Sequence, residues 1–205
     1  MSYRAAVRTA VLVVVAALTP LLLTTPARAG DHTVNGRTFH LPDGFTIELA
    51  AAPPLADRPI ICDFDEQGRL YVADSSGSSA KVQQQLEQRP HRIVRLEDTD
   101  GDGVFDKQTV FADKMMFPEG AMWHAGSLYV AAPPSIWKLT DADGDGVADQ
   151  RVEWFQGKTL TGCANDLHGP YNGPDGMIYW TKGAFAKQTY TLPTGKTFET
   201  RAAHL

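Results

Sequence analysis

The sequence predicts an all-β fold of the β-propeller class, and two observations carry this prediction. An acidic stretch, Asp98–Asp106 (DTDGDGVFD), returns 43 residues later as Asp141–Asp149 (DADGDGVAD). A repeat at a fixed spacing in this range is typical of stacked or circular repeat proteins, most often propellers. After residue 30, short β-branched or aromatic runs are bounded by Gly, Pro, Asp or Asn, which is the pattern of an all-β protein.

A second repeated pattern predicts where the individual strands lie. A glycine precedes a short strand that contains a tyrosine at residues 68–72, 126–130 and 176–180. Glycine suits a tight turn with positive φ, and a half-buried tyrosine suits a strand. Each acidic stretch lies between two further β-type runs, so we expect it to connect neighbouring strands.

These patterns combine into four-stranded units, each of which would be one propeller blade. The expected ranges are about 60–111 for blade one, 119–155 for blade two and 166–205 for a partial blade three. A ring needs at least four blades. We therefore expect residues 30–205 to be the N-terminal part of a longer propeller, and the early strand Phe45–Leu49 to close its last blade.

The polar stretch Ser75–His91 interrupts blade one between its second and third strands. It is either a solvated loop with one helical turn or a rim loop over a pocket, because long loops in compact β folds are often functional. The four tryptophans, at strand positions, are expected to form the core between blades. They are Trp123, Trp137, Trp154 and Trp180.

The first 29 residues predict a signal peptide. Arg4 and Arg8 precede a mostly apolar run, and Ala27-Arg28-Ala29 has the small-x-small form of a cleavage site. An uncleaved anchor is the alternative, but the run is short for a membrane span and Pro20 breaks it. We therefore expect an exported protein, periplasmic or extracellular, with no transmembrane span in the mature chain.

The net charge disfavours one class of binding partner, and the cysteine content raises the possibility of a disulfide. Without the three arginines of residues 1–29, the chain has 16 basic and 24 acidic side chains, a formal charge of −8. This disfavours nucleic acid, whose binding depends on clustered Lys and Arg. Cys62 and Cys163 would meet an oxidising compartment, where a disulfide between them is one alternative and two free thiols the other.

The acidic loops predict calcium sites. Aspartates at positions 1, 3, 5 and 9 of a tight loop with Gly at position 6 converge hard oxygen ligands on one ion. The expected ligands are Asp98, Asp100, Asp102 and Asp106 in the first loop, and Asp141, Asp143, Asp145 and Asp149 in the second. The bidentate Glu of an EF-hand is missing at position 12, which indicates a weak, structural site. The alternative is a plain Asp-Gly turn that binds nothing.

Aligning the three units on their shared glycine places Arg58, Glu119 and His168 at comparable points before the first strand. In a propeller these positions would surround the mouth of the central channel. His168 is a candidate general base, with Asp166 or Asn165 orienting it. The alternative is that His168 forms hydrogen bonds within a turn.

Four stretches resemble one bacterial family. They are Leu41–Leu49, Gly68–Val72, Arg95–Asp106 and His168–Gly176. The sequence is similar to exported proteins of the membrane-bound dehydrogenase family, whose N-terminal propeller is related to the glucose/sorbosone dehydrogenases. Many members carry a C-terminal c-type haem domain.

The resemblance implies a six-bladed, TolB-like propeller and PQQ-dependent oxidation of a sugar or alcohol. It implies His168 as the catalytic base and a haem domain outside this chain as electron acceptor. In such an enzyme we expect Asp166 to be the catalytic partner of His168, and Arg58, Glu119 and Asn165 to bind the cofactor. The competing hypothesis is a calcium-braced propeller that binds a glycan or a protein partner without chemistry. Since propellers host both uses, the fold alone does not decide between them.

Overall fold

The structure is a computed structural model that describes residues 29–158, 160–162, 167–183, 188–192 and 194–200. Residues 1–28 lie outside this range, so the signal peptide stays a prediction. The chain divides into two compact units, Met1–Glu48 and Leu49–Leu205. Among the described residues, no helix has the length and apolar character needed to cross a membrane.

The fold is all-β, with several small antiparallel sheets. Its strands are β1 (Gly30–Val34), β2 (Arg37–Leu41), β3 (Pro59–Phe64), β4 (Leu70–Asp74), β5 (His91–Glu97), β6 (Lys107–Met115), β7 (Gly120–His124), β8 (Ser127–Ala132), β9 (Ser135–Thr140), β10 (Gln150–Phe155), β11 (Leu167–Asn172), β12 (Ile178–Lys182), β13 (Gln188–Thr191) and β14 (Thr197–Thr200). The helix α1 spans Val82–Gln88.

The first unit contains a hairpin that the sequence analysis missed. Strands β1 and β2 are joined by Asn35 and Gly36, which both have positive φ, as a two-residue hairpin turn requires. The strand predicted at Phe45–Leu49 is wrong. Those residues are irregular, because no described strand pairs with them, and Phe45 is 62% exposed.

The second unit contains two four-stranded meanders. The first sheet has the order β3-β4-β5-β6 and the second the order β7-β8-β9-β10. Gly68 and Gly126, which lie in the turns before the second strands β4 and β8, have φ of 80° and 76°, as the turn prediction required. After residue 166, the chain forms two separate hairpins, β11–β12 and β13–β14, where a single partial sheet was expected.

Alternating side chains let each meander pack on both faces. Tyr71 and Phe111 of the first sheet meet Leu128 and Val130 of the second in one buried cluster. On its opposite face, the second sheet packs Tyr129 and neighbouring apolar residues against β11 and β12. The sheets therefore stack face to face in chain order, and their first strands β3, β7 and β11 lie side by side.

The tryptophans predicted for the core differ in their placement. Trp123 stacks on Tyr71 with ring centroids 4.8 Å apart, so it fills the space between the two meanders. Trp137 and Trp180 pack against buried clusters. Trp154 bridges Tyr129 and Trp180 edge to face but remains 37% exposed.

Because the strands alternate in direction, the two ends of the sheets carry different connections. We call the end where β3, β7 and β11 begin the first-strand end; it also carries α1 and the turn Pro133–Pro134. The acidic loops connect β5 to β6 and β9 to β10, and they lie at the opposite end. Any calcium in those loops would therefore be remote from a site at the first-strand end.

Candidate functional site

The glycines that follow Glu119 and His168 approach each other closely. Gly120 begins β7, and its α-carbon lies so close to the carbonyl oxygen of Gly169 that a Cβ at Gly120 would overlap it. Glu119 and His168 each directly precede one of these glycines. Two of the three residues that were expected at one opening therefore belong to neighbouring strand starts.

His168 is held on a firm backbone. Leu167, the residue before it, is fully buried, whereas His168 itself is half-buried. The pairing of β11 with β12 shifts register between His168 and Tyr171, and such a bulge redirects side chains, often beside functional sites. Asn165 and Asp166, its predicted partners, lie outside the described residues.

Arg58 directs its guanidinium elsewhere. It lies directly before β3, at the same end of the sheets, but its Nη1 donates to the carbonyl oxygen of Ser76 at 3.3 Å. The group also packs against the α-carbon of Gly77. In this structure Arg58 holds the connection between β4 and α1.

Asp74 anchors the start of β3. Its carboxylate is almost fully buried and accepts the N–H groups of Asp57 and Arg58 at 3.1 and 2.8 Å. Arg92 donates to it twice, at 2.9 and 2.7 Å. Burial alone would raise the pKa of Asp74, but the bonds from the Arg58 N–H and the Arg92 guanidinium outweigh it, so the pKa is lowered.

A buried histidine that the sequence analysis missed secures the α1 connection. The Nδ1 of His91 accepts the N–H of Ser76 at 3.1 Å, so the Nε2 carries the proton and donates to the Oε1 of Gln85 at 2.8 Å. Burial lowers the pKa of His91. No local pattern identifies this residue, because Ser76 precedes it by 15 positions.

The two acidic loops fold alike. In the first, Asp98 accepts the N–H groups of Gly101 and Gly103 at 2.7 and 2.9 Å. In the second, Asp141 accepts those of Gly144 and Gly146 at 2.7 and 2.8 Å. The bond from Gly103, followed by that from Gly101, lowers the pKa of Asp98, so this carboxylate is ionised at neutral pH.

Each loop gathers three carboxylates that could hold a metal ion. Their oxygens lie within 4.8 Å of one another in the two sets Asp98, Asp100, Asp102 and Asp141, Asp143, Asp149. Asp106, also predicted as a ligand, instead accepts the N–H and hydroxyl of Thr99 at 3.2 and 2.7 Å. Asp145 accepts the N–H of Val147 at 2.8 Å.

The second loop differs from the first by having a buried cation. Arg95 of β5 is only 5% exposed, and its Nη1 lies 3.5 Å from the Oδ2 of Asp141. Its Nη2 also donates to Glu97 at 3.1 Å. The N–H of Ala148 bonds to the carbonyl of Phe111 at 2.8 Å. The second loop is therefore fastened to the first sheet by a guanidinium and a backbone bond.

Arg58 and Glu119, the predicted cofactor-binding residues that the structure describes, do not fit PQQ well. This cofactor carries three carboxylates, which require several cations facing the same space. Glu119 is itself a carboxylate, and the Arg58 guanidinium donates to the carbonyl of Ser76. The assignment of Arg58 and Glu119 to a quinone stays a prediction without support from their geometry.

Cys62 lies on β3 with its side chain exposed. Partial burial, and then the charge of Asp63, raise the pKa of its thiol. Cys163 lies outside the described residues, so the disulfide stays a prediction.

Comparison with known proteins identifies the family of the chain but no individual relative. No curated protein and no solved structure matches the chain. One family model, described as a domain of unknown function (DUF7133), matches residues 33–205. Because that match covers most of the sequence, the chain belongs to the DUF7133 family.

Proposed function

We propose that residues 49–200 form blades of an exported β-propeller whose substrate site lies at the first-strand end. Two observations support this. The sheets stack face to face in chain order, and β3, β7 and β11 lie side by side, as the innermost strands of successive blades do around a channel.

Within that propeller, the proposed activity is oxidation of a sugar or alcohol, with His168 as the proton acceptor. The supporting observation is the approach of Gly120 to the Gly169 carbonyl, because Glu119 and His168 directly precede these two glycines. An imidazole accepts a hydroxyl proton near neutral pH, and a nearby carboxylate stabilises the imidazolium that forms. The electron acceptor, expected to be a quinone and then a haem domain, is not assigned to the described residues.

The activity is tested with the intact protein mixed with PQQ and calcium, by following reduction of a dye with a panel of sugars and alcohols. His168→Gln should lower turnover at least a hundredfold, since a positioned base contributes about 10²–10⁴-fold. His124→Gln, which alters a partly buried histidine on the other end of β7, is the matched control and should retain activity. Equal rates for both variants would remove His168 as the base.

The second candidate is a propeller that binds a glycan or a protein partner without chemistry. It is favoured by the contact of Arg58, the one cation among the predicted cofactor-binding residues, with the carbonyl of Ser76. If no sugar or alcohol reduces the dye but a glycan array gives saturable binding, this second function replaces the first.

We also propose a structural calcium ion in the first acidic loop. Asp98, Asp100 and Asp102 offer oxygens within 4.8 Å of one another, and no buried cation is recorded beside them among the described residues. In the second loop, the guanidinium of Arg95 already neutralises part of the charge of Asp141. A cation there would be repelled, so we expect weaker calcium binding at the second loop.

A further inference from the structure

We propose that this chain binds a small carboxylate with an apolar body in the cavity between its two four-stranded sheets. The cavity has a volume of about 320 Å³ and opens at the first-strand end. Its walls come from α1 and β6 on one side and from β9 and β10 on the other. This site is separate from His168 and does not depend on the proposed oxidation.

The floor of the cavity is apolar. Met115 and Met116 are 3% and 5% exposed, so they line the cavity from a fixed position. Trp137 lines it from β9 while packing against the core between the sheets. Pro133 and Pro134 complete this surface. A ligand that fills the cavity must therefore present a flat or compact apolar body.

Three cations surround that floor. Arg89, Lys114 and Arg151 line the cavity together with one carboxylate, Glu153, which accepts the hydroxyl of Ser135. Arg151 donates one bond to the carbonyl of Asp113 at 3.0 Å, lies 3.9 Å from the exposed carboxylate of that residue and keeps further donors. In a chain with an overall excess of acid, this net positive lining selects for an anion.

Two of these cations lie at left-handed backbone positions. Arg89 and Lys114 have φ of 48° and 51°, a left-handed conformation that side-chain-bearing residues seldom adopt. Arg89 ends α1, and Lys114 lies in the irregularity where the pairing of β5 with β6 shifts register. Strained residues and bulges of this kind are concentrated at binding sites.

The combination of floor and rim excludes simpler ligands. A bare phosphate would satisfy the cations but leave the apolar floor exposed to water, and a neutral hydrocarbon would leave the net positive charge of the lining unbalanced. A cavity of this size matches the low end of the range for small-molecule sites. Phenylpropionate, with one carboxylate on a flat apolar body, is therefore the probe of choice.

The test is a titration of the full chain, labelled with ¹³C at its methionine methyl groups, with phenylpropionate. The signals of Met115 and Met116 should shift saturably, with a dissociation constant of about 10 µM to 1 mM. Met122 and Met177 do not line the cavity and should not move. The neutral amide of the same probe should bind at least tenfold more weakly. Glucuronate, which has the charge but not the apolar body, should also bind more weakly.

Charge-removing variants test the cations. Lys114→Asn and Arg89→Asn keep a residue that tolerates left-handed backbone and should each weaken binding about threefold to tenfold. The matched control is Lys158→Asn, an exposed lysine with φ of 67° that does not line the cavity, and it should bind normally. Equal binding of acid and amide, tighter binding of glucuronate, equal loss in all three variants, or no saturable shift would each overturn the proposal.

Discussion

Single polar residues determine how the first-strand end is held together. His91 joins the N–H of Ser76 to the side chain of Gln85, whose own amide donates to the carbonyl of Ala80 at 2.7 Å. Asp74 joins the start of β3 to Arg92 of β5. Because both residues are almost fully buried, each bond replaces water that the folded state excludes, and its loss leaves a buried group unpaired.

His91 should make the protein less stable in mild acid. Its folded pKa is lowered by burial, whereas in the unfolded chain the pKa is about 6.5, so the unfolded state binds more protons once the pH falls below that value. The stability contribution is therefore complete above pH 6.5 and is lost as the pH falls toward the folded pKa, by at most about 1.4 kcal/mol per pH unit. Urea midpoints between pH 8 and pH 5 measure it. In His91→Gln the decline should be shallower; parallel curves would show that another group causes it.

Asp74→Ala should lower the free energy of unfolding by about 2–4 kcal/mol, because it leaves two N–H groups and a guanidinium without their buried acceptor. Asp113→Ala is the control. Its carboxylate is 65% exposed and lies 3.9 Å from Arg151, so its removal should cost less than about 0.5 kcal/mol. Urea denaturation at pH 7 compares the two variants, and similar losses would contradict the role assigned to Asp74.

At the scale of the element, the two acidic loops have the same backbone hydrogen bonds but contact different residues. Both arrange their first aspartate around two backbone N–H groups. Each also uses its eighth residue to dock: Phe105 donates to the carbonyl of Ala50, and Ala148 donates to that of Phe111, each at 2.8 Å. Within the described residues, only the second loop forms an ion pair with a buried arginine.

Calcium should therefore stabilise the protein mainly through the first loop. With a dissociation constant of about 1 mM, addition of 10 mM calcium should raise the free energy of unfolding by about 1.4 kcal/mol. Asp98→Asn should remove most of this increment, whereas Asp141→Asn should leave most of it. Thermal melts with calcium or magnesium at matched ionic strength measure the effect. A larger loss in Asp141→Asn would show that Arg95 does not discourage cation binding.

At the scale of the whole second unit, stability depends on how closely successive sheets approach. Trp123 of β7 donates its N–H to Asp63 of β3 at 2.7 Å, and its indole N–H to Glu66 at 2.6 Å. On its other side, β7 touches β11 through Gly120. These contacts between first strands leave little space for larger side chains.

Gly120→Ala should disrupt the approach of β7 to β11, because the added methyl group would overlap the carbonyl oxygen of Gly169. The Gly169 carbonyl belongs to the backbone and cannot move aside as a flexible side chain could. We therefore expect a loss of about 3 kcal/mol or more in the free energy of unfolding. Gly162→Ala is the matched control, since no atom of the described residues lies within 4 Å of its added Cβ, and it should be nearly neutral. Equal stability of the two variants would contradict the described packing.

The sequence predicted those parts of the fold that depend on interactions between residues close together in the chain. Gly68, Gly126 and the repeated acidic stretches are short patterns whose conformation is set by neighbouring residues, so strand positions within the two meanders could be predicted. The strand expected at Phe45–Leu49 failed because a strand requires a partner, and pairing is not a local property. The hairpin at Asn35–Gly36 was missed although its turn residues carried a recognisable signal.

By itself, the sequence determined the all-β class and the acidic loops, because turn chemistry and alternation act over a few residues. The tertiary structure alone decided that Arg58 turns to Ser76, that Gly120 meets the carbonyl of Gly169, and that Arg95 reaches Asp141. These contacts join residues far apart in the chain. Their geometry depends on how the sheets stack, which no local pattern records.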